Sequence, residues 1–432
     1  MTDQQFAKCH FLQNLDESDQ ISMTFPNDLN HWYDDVNMSP RMKALVLVTS
    51  VFVLLMLYTN ETKVTGLKAK TNLTLGDFSQ LEQSLTATIE KVRSVATSVM
   101  QPQYEQPPIV SDKWIVVTSI NYPSEDVKRL ASLEDWNLVV VADKKTPKDW
   151  NHDGVHFLSM EQQENLGFRL SVVSPENSYT RKNIGYLYAI KNGARWIYDT
   201  DDDNKPYGRG LQQFDFKNFT SGLCYRRDTN GNDTQSKLFN PYRFFGNPEM
   251  WPRGFPLEYL RDHINGKDRL CLCSSMRTPA VQQGLVHKDP DVDAIYRLLH
   301  ADKLSGLDER FNEFAPPVVM NPGIYSPWNS QNTLFHRNAF FTLYLPVSVA
   351  FRVTDIWRSY FAQKLLHLIG ERVAFYPVNA VQFRNAHNYL ADFQQEIDVY
   401  TKSGKFVEFL EQWQCSTNDI SVCTVELAEQ LG

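Results

Sequence analysis

The chain has 432 residues, enough for one large α/β domain with accessory segments, and its 42% hydrophobic content excludes an intrinsically disordered protein. With 51 acidic against 43 basic residues the net charge is −8, which excludes a general nucleic-acid binder, whose phosphate contacts need clustered Lys and Arg. Six cysteines without paired CxxC motifs exclude a disulfide scaffold and a zinc ribbon; the five beyond residue 60 allow up to two disulfides and one free thiol, the pairing left open.

In chain order, residues 1–41 are hydrophilic and predict a cytosolic tail. The uncharged run Ala44–Tyr58 predicts a short membrane helix over residues 42–60. A span of the hydrocarbon core needs about 20 residues, so Met42, Lys43 and Thr59 must contribute, with Lys43 reaching back to the interface. Arg41 and Lys43 on one side are balanced by Lys63, Lys68 and Lys70 on the other, and charge does not decide the orientation. Glycosylation at the sequons of Asn72, Asn218 or Asn232 requires a lumenal C-terminal part, a type II arrangement. The short span suits the thinner membranes of the endoplasmic reticulum and Golgi. Residues 61–110 read as a stem. Phe78, Leu85, Val92 and Val99 recur at heptad spacing, as in a helix that either forms a homodimer or packs alone, and the Pro/Gln stretch 101–108 ends it.

From Ser111 to about residue 400 the pattern is that of a folded domain. The apolar runs Trp114–Ile120, Leu138–Ala142 and Val155–Leu158, bounded by polar turns, predict strands of a parallel α/β sheet. Ligands of such sheets bind beyond the carboxyl ends of the strands, so Thr118, Ser119, Asn121 and Asp143 are candidates for base and ribose contact, with ordinary surface turns as the alternative. No GxGxxG follows the first strand, which counts against a dinucleotide-binding domain.

Ser178–Arg195 predicts a helix, and Trp196-Ile-Tyr198 a strand that runs into Asp199-Thr-Asp-Asp-Asp203. Four carboxylates in five residues repel one another. Either the run is a solvated turn, or a divalent cation that favours hard oxygen ligands, Mn²⁺ or Mg²⁺, neutralises it. Such a cation bridges a diphosphate, with Arg181 and Lys182 available to phosphate or base. Downstream, Asp291 and Asp293 either cap the helix predicted from Ala294 to His300 or have a functional role. Asp355, expected one position before an amphipathic helix, is placed to cap it, with Arg352 and Arg358 available to pair with it or with phosphate. Arg384 and His387 come late in the domain, where a lone histidine is as ordinary in a structural role as on a ligand. Residues 401–432 predict a docked helical extension.

The block YTRKNIGYLYAIKNGARWIYDTDDDN is followed by QQGLVHKDPDVDAIYRL, NPGIYSPWNSQNTLFHRNAF and LPVSVAFRVTDIWRSYFAQKLL. In this order, over about residues 112–400, the motifs resemble the STELLO family of glycosyltransferase-like membrane proteins. More distantly, the acidic triplet and GLVxxxPDVDA are similar to the reversibly glycosylated polypeptides, and Thr354-Asp-Ile356 to exostosin-type transferases. The resemblance implies a GT-A-like fold, a mixed and mainly parallel sheet flanked by helices, anchored in the Golgi membrane by one type II helix. It implies Mn²⁺ (or Mg²⁺), a UDP-sugar donor and a glycan or protein acceptor. It aligns Asp201, Asp202 and Asp203, leaving Asp199 inside the strand as structural. The expected nucleotide-sugar contacts are Thr118, Asn121, Asp143, Arg181, Lys182, Asn183, Asp202 and Arg384. Asp201, Asp203 and His387 are expected on the metal, Asp355 in catalysis, and Asp291 and Asp293 at the acceptor cleft. A non-catalytic Golgi scaffold and a metal-dependent phosphoester hydrolase are the competing readings.

Overall fold

The apolar runs that follow Ser111 become strands in the computed structural model, which describes residues 111–227, 237–261, 269–383 and 388–431. The chain divides into two compact units, Met1–Gln101 and Pro102–Gly432, and every described residue lies in the second. The expected membrane helix, the heptad helix and Asn72 therefore fall outside the described residues, as do Asn232, Arg384 and His387. Among the described residues, no helix is long and apolar enough to cross a membrane.

The first half contains β1 Lys113–Ser119, α1 Glu125–Ala131, β2 Asn137–Ala142, β3 Val155–Leu158, α2 Met160–Asn165, α3 Arg169–Val173, α4 Lys182–Lys191, β4 Trp196–Thr200 and β5 Asn204–Pro206. Then follow β6 Phe219–Tyr225, α5 Pro241–Phe244, β7 Leu270–Arg277, β8 Val281–Lys288, α6 Ala294–His300, β9 Val318–Met320 and β10 Asn332–His336. The chain ends with α7 Thr354–Leu368, β11 Val373–Gln382, α8 Tyr389–Gln395, α9 Ile397–Gln412 and α10 Ile420–Leu431.

All the strands join one sheet, in the order β3-β2-β1-β4-β10-β8-β11-β9-β6-β7, with β5 on β11. Strands β3, β2, β1 and β4 are mutually parallel. Strand β10 runs antiparallel to both β4 and β8, and beyond it the parallel pairs β8–β11 and β6–β9 alternate with the antiparallel pairs β9–β11 and β6–β7. The fold is thus α/β with a large mixed sheet flanked by helices, its antiparallel pairings concentrated in the second half. The chain moves outward from β1 to β3 and then returns to place β4 on the other side of β1. Strand order therefore reverses between β1 and β4, where such sheets form a ligand crevice.

Both faces of β1 and β2 are buried, as their unbroken apolar sequences require. Ile115, Val117, Leu138 and Val140 pack with Trp150 on one face. Val116, Val139 and Val141 pack with Ile184 and Ala189 of α4 on the other. Gly185 sets that helix close to the sheet: a Cβ there would lie 2.6 Å from Val141 Cγ2 and 2.7 Å from Val116 Cγ1. The start of α4 is thereby held over the carboxyl ends of the strands.

At the other end of the chain, Ile356, Tyr360 and Leu365 of α7 pack with Val407 and Leu410 of α9 and Leu427 of α10. A disulfide, Cys415–Cys423, ties the turn between the last two helices. Helix α9 passes through residue 400 without a break, so the expected extension begins inside a helix. The second disulfide joins Cys224 of β6 to Cys273 of β7, and Cys271 is free, the two bridges and one thiol that the cysteine count allowed.

Candidate functional site

The carboxyl ends of β1, β2 and β4 open on a cleft of about 390 Å³. Thr118, Ser119 and Asn121 line it from β1, Asp143 from β2, and Asp201, Asp202 and Asp203 from β4. Tyr179 and Arg181 enter from the turn before α4, and Phe351 and Gln382 from the second half of the sequence. The structure therefore brings together most of the residues expected on a nucleotide sugar, at the strand-order reversal.

The acidic run is resolved residue by residue. Asp199 is fully buried, with Lys182 Nζ 2.7 Å from its Oδ1 and Arg358 Nη2 3.2 Å from its Oδ2. It has the structural role expected of it. Asp202 Oδ2 accepts a hydrogen bond from Ser119 Oγ at 2.6 Å, while its backbone carbonyl accepts from Ser124 Oγ at 2.6 Å. Asp201 Oδ1 accepts from the Tyr179 hydroxyl at 2.7 Å and lies 3.4 Å from Lys182 Nζ. Asp203 Oδ2 accepts from Gln382 Nε2 at 2.8 Å. Three elements, the turn before α4, β1 and β11, each orient one carboxylate.

Burial pushes the Asp201 carboxyl up to about 6; Lys182 opposes the shift and Asp203 adds to it. Burial also raises Asp202, opposed by the Ser119 hydroxyl. Asp201 Oδ2 accepts no hydrogen bond among the described residues. Two carboxylates that line one cleft, one oriented by a tyrosine hydroxyl and one by a glutamine amide, are of the chemistry that holds a hard divalent cation. The three carboxylates do not close into a cluster of ligand atoms within 4.8 Å; among the described residues only the sulfurs of Cys224, Cys271 and Cys273 do. Asp201 and Asp203 are the carboxylates of the cleft that could contribute ligand atoms to a cation, with no third side-chain ligand beside them among the described residues.

Comparison with known proteins gives the family. The family model described as STELLO glycosyltransferases matches residues 352–432, from the start of α7 to the C-terminus. "Probable glycosyltransferase STELLO1" of Arabidopsis thaliana is 34% identical over 323 residues, 74% of this chain and 41% of that protein. "Probable glycosyltransferase STELLO2" of the same plant is 35% identical over 311 residues, 70% of this chain and 40% of that protein. The chain belongs to the STELLO family. It spans about two fifths of the length of these curated relatives.

Several residues that the STELLO resemblance implicated are committed inside the fold. Lys182 is fully buried, and besides Asp199 its ammonium donates to Thr200 O at 2.7 Å and to the Tyr179 hydroxyl at 3.0 Å. The amide of Asn183 pairs at both ends with the backbone of Leu345, at 2.9 and 2.8 Å, and pins the chain before α7. Neither lines the cleft: the Lys182 charge is shared between buried Asp199 and the cleft carboxylate Asp201, and the Asn183 amide is taken up by Leu345.

Arg181 and Asp143 do line the cleft, but with their polar edges turned to the protein. Arg181 is 2% exposed, and its guanidinium donates to Gln163 Oε1 at 3.0 and 2.6 Å and to Ser174 O at 3.2 Å. Burial lowers its pKa, with nearby carboxylates opposing. Asp143 accepts from the backbone N–H groups of Lys144, Asn177 and Ser178 at 2.6, 2.7 and 2.8 Å. It shapes the loop that forms the cleft wall.

Asp355 also differs from expectation. It lies in the first turn of α7, whose N-cap is Val353, and so does not precede the helix. Arg352 and Arg358 are engaged elsewhere, Arg352 with Glu396 and Asp392 and Arg358 with Asp199. The partner is Arg253, which sequence reading missed: its guanidinium meets both oxygens of Asp355, at 3.1 and 3.0 Å, and both oxygens of Asp291, at 2.8 Å. The Ser330 N–H adds a third hydrogen bond to Asp355 at 3.3 Å.

Asp293 is the N-cap of α6, accepting from Tyr296 N at 2.9 Å and from Trp251 Nε1 at 2.6 Å. Its capping alternative is the one realised. Burial raises its carboxyl to about 6 against these hydrogen bonds. Neither Asp291 nor Asp293 lines the cleft of the acidic triplet. Asn218 is exposed, as a modified asparagine must be.

Proposed function

We propose that this chain is a metal-dependent, GT-A-like glycosyltransferase that takes a sugar from a nucleotide sugar, a UDP-sugar, and passes it to a glycan or protein acceptor. The acidic triplet carries this reading: three carboxylates at the end of β4, at the strand-order reversal, each oriented by a different element and opening on one cleft. In this reading Thr118 and Asn121 meet the base and ribose, and Asp201 and Asp203 hold Mn²⁺ or Mg²⁺. The bound cation supplies charge neutralisation for a diphosphate leaving group. Tyr179 and Gln382 hold the two carboxylates in the orientation that the site needs. The names of the Arabidopsis relatives support the reaction class. The sequence between residues 42 and 110 supports a single-helix type II anchor in the Golgi or endoplasmic reticulum membrane, a lumenal catalytic domain and a homodimeric stem.

Calorimetry on the purified full chain in detergent tests the reading. UDP should bind in the presence of Mn²⁺ and not in its absence. The double substitution Asp201→Asn with Asp203→Asn should weaken that binding more than about 100-fold while the melting temperature holds. Folded wild-type protein that binds no UDP with Mn²⁺ ends the reading.

A second reading, a non-catalytic Golgi scaffold that retains the fold, is favoured by one observation. Both oxygens of Asp355 are occupied by Arg253, whereas a base must offer one to the acceptor hydroxyl. On this reading the double substitution supports normal function in cells, and deletion of residues 61–110 does not.

A further inference from the structure

Phe351 is 57% exposed, and it lines the same cleft as the acidic triplet. Its backbone is nevertheless fixed on both sides. Arg352, the next residue, is buried, with Nε 2.5 Å from Glu396 Oε1 and Nη1 3.5 Å from Asp392 Oδ1, and its carbonyl accepts a hydrogen bond from Arg253. Val353 is fully buried, and its N–H bonds to Ala350 O at 2.9 Å. Thr354 Oγ1 closes the loop on Pro346 O at 2.7 Å. The Phe351 ring meets the Tyr179 ring edge to face, with centroids 5.4 Å apart at 77°.

Holding an apolar ring open to water costs free energy that a ligand recovers by covering it. Because the loop is already pinned, binding pays little further ordering entropy. The position of the ring narrows what that ligand is. Thr118, Asn121 and Asp143, at the ends of β1 and β2, come from the half of the sequence that forms the nucleoside side. Phe351 comes from the other half, together with Gln382, which holds Asp203. The ring contacts Tyr179, whose hydroxyl holds Asp201, one of the two carboxylates proposed to hold the cation. The group that a nucleotide sugar presents beyond its diphosphate is the sugar ring.

We propose that Phe351, backed by Tyr179, is the sugar-stacking residue of this site and covers the apolar C–H face of the hexose of the donor. This rests on the nucleotide-sugar reading above. A pyranose directs its hydroxyls to its rim and leaves a C–H face that an aromatic ring covers without a hydrogen bond, so such a ring gives affinity for a hexose while polar neighbours select which one.

The test compares affinities for UDP and for UDP-glucose, UDP-galactose and UDP-N-acetylglucosamine with Mn²⁺, on the full chain in detergent. In wild-type protein at least one sugar nucleotide should bind more tightly than UDP. In Phe351→Ala that advantage should fall by about five-fold, and Phe351→Trp should restore it. Circular dichroism and the melting temperature establish that each variant is folded. The proposal is overturned if the advantage survives Phe351→Ala, or if no hexose adds to the affinity of UDP in wild type. It is equally overturned if Phe351→Ala weakens UDP as much as the sugar nucleotides, which assigns the ring to the base. Absence of Mn²⁺-dependent UDP binding in wild type instead removes the nucleotide-sugar reading itself, a result visible before any variant is made.

Discussion

Asp199, Asp291 and Asp355 each face a buried arginine, whereas Asp201 and Asp203, close to Asp199 in sequence, face a tyrosine hydroxyl and a glutamine amide. The first group has been neutralised by the fold. The second is oriented by a hydroxyl and an amide and lines the cleft, and at Asp201 the only cation within ion-pair distance among the described residues is Lys182, at 3.4 Å and shared with Asp199. A carboxylate sealed by an arginine fork does structural work, and its removal exposes the partner's charge to a medium that cannot solvate it. A carboxylate held by a hydroxyl or an amide retains affinity for a cation. That contrast separates candidate ligands from structural acids better than their spacing in the sequence does.

The largest effect should come from breaking the sealed group. Arg253→Met leaves Asp291 and Asp355 buried without their shared cation and should destabilise the domain by about 3–5 kcal/mol. The midpoint of thermal unfolding, read by tryptophan fluorescence, should drop or the folded protein should fail to accumulate. An unchanged midpoint would mean that the two carboxylates are solvated and that the contrast does not hold.

A smaller effect should come from loosening the oriented group. Tyr179→Phe removes the hydroxyl that donates to Asp201 and accepts from Lys182 but keeps the ring against Phe351. Mn²⁺ affinity, measured by calorimetry, should fall about ten-fold, with a stability loss of only about 1 kcal/mol. If affinity is unaffected while stability falls, the hydroxyl serves Lys182 and the interior, and Asp201 belongs with the sealed acids.

The sequence made parts of this contrast legible. The strands β1 to β3 stand out as apolar runs between polar turns, and the observed ends lie within one residue of the expected ones. The triplet is visible because charge piles up where an apolar strand stops, and Asp293 because a carboxylate before a helix start has an evident use as a cap. Partners of the buried charges were not visible. Arg253 is 102 residues from Asp355, and Gln382 is 179 from Asp203. Gln382 meets Asp203 because β5, which starts at Asn204, pairs with the end of β11, and Arg253 meets Asp355 where a loop packs on the first turn of α7. Gln382 did carry a signal, a polar residue ending the apolar strand Val373–Gln382, the same placement that marked the triplet. Strands as short as β5 and β9 carried none, and they belong to the half of the sheet where antiparallel pairs enter.

The smallest effect, and the one that opposes the two groups directly, is a change of stability with opposite sign. Burial lifts Asp201 from its ordinary 3.8 to about 6, so between those values the folded protein keeps a proton that the unfolded chain has released. Its contribution to stability is fully present below pH 3.8 and is lost as the pH rises through 6. At pH 7.5 Asp201→Asn removes an unfavourable charge while leaving an oxygen for the Tyr179 hydroxyl. The thermal midpoint should hold or rise, by less than about 1 kcal/mol of stability, and the fall in stability between pH 4 and 6 should flatten. Asp355→Asn at the same pH should lower the midpoint, because it leaves Arg253 with one carboxylate where it had two. A loss for Asp201→Asn as large as that for Asp355→Asn would place both acids in the sealed group and remove the argument for a cation at the end of β4.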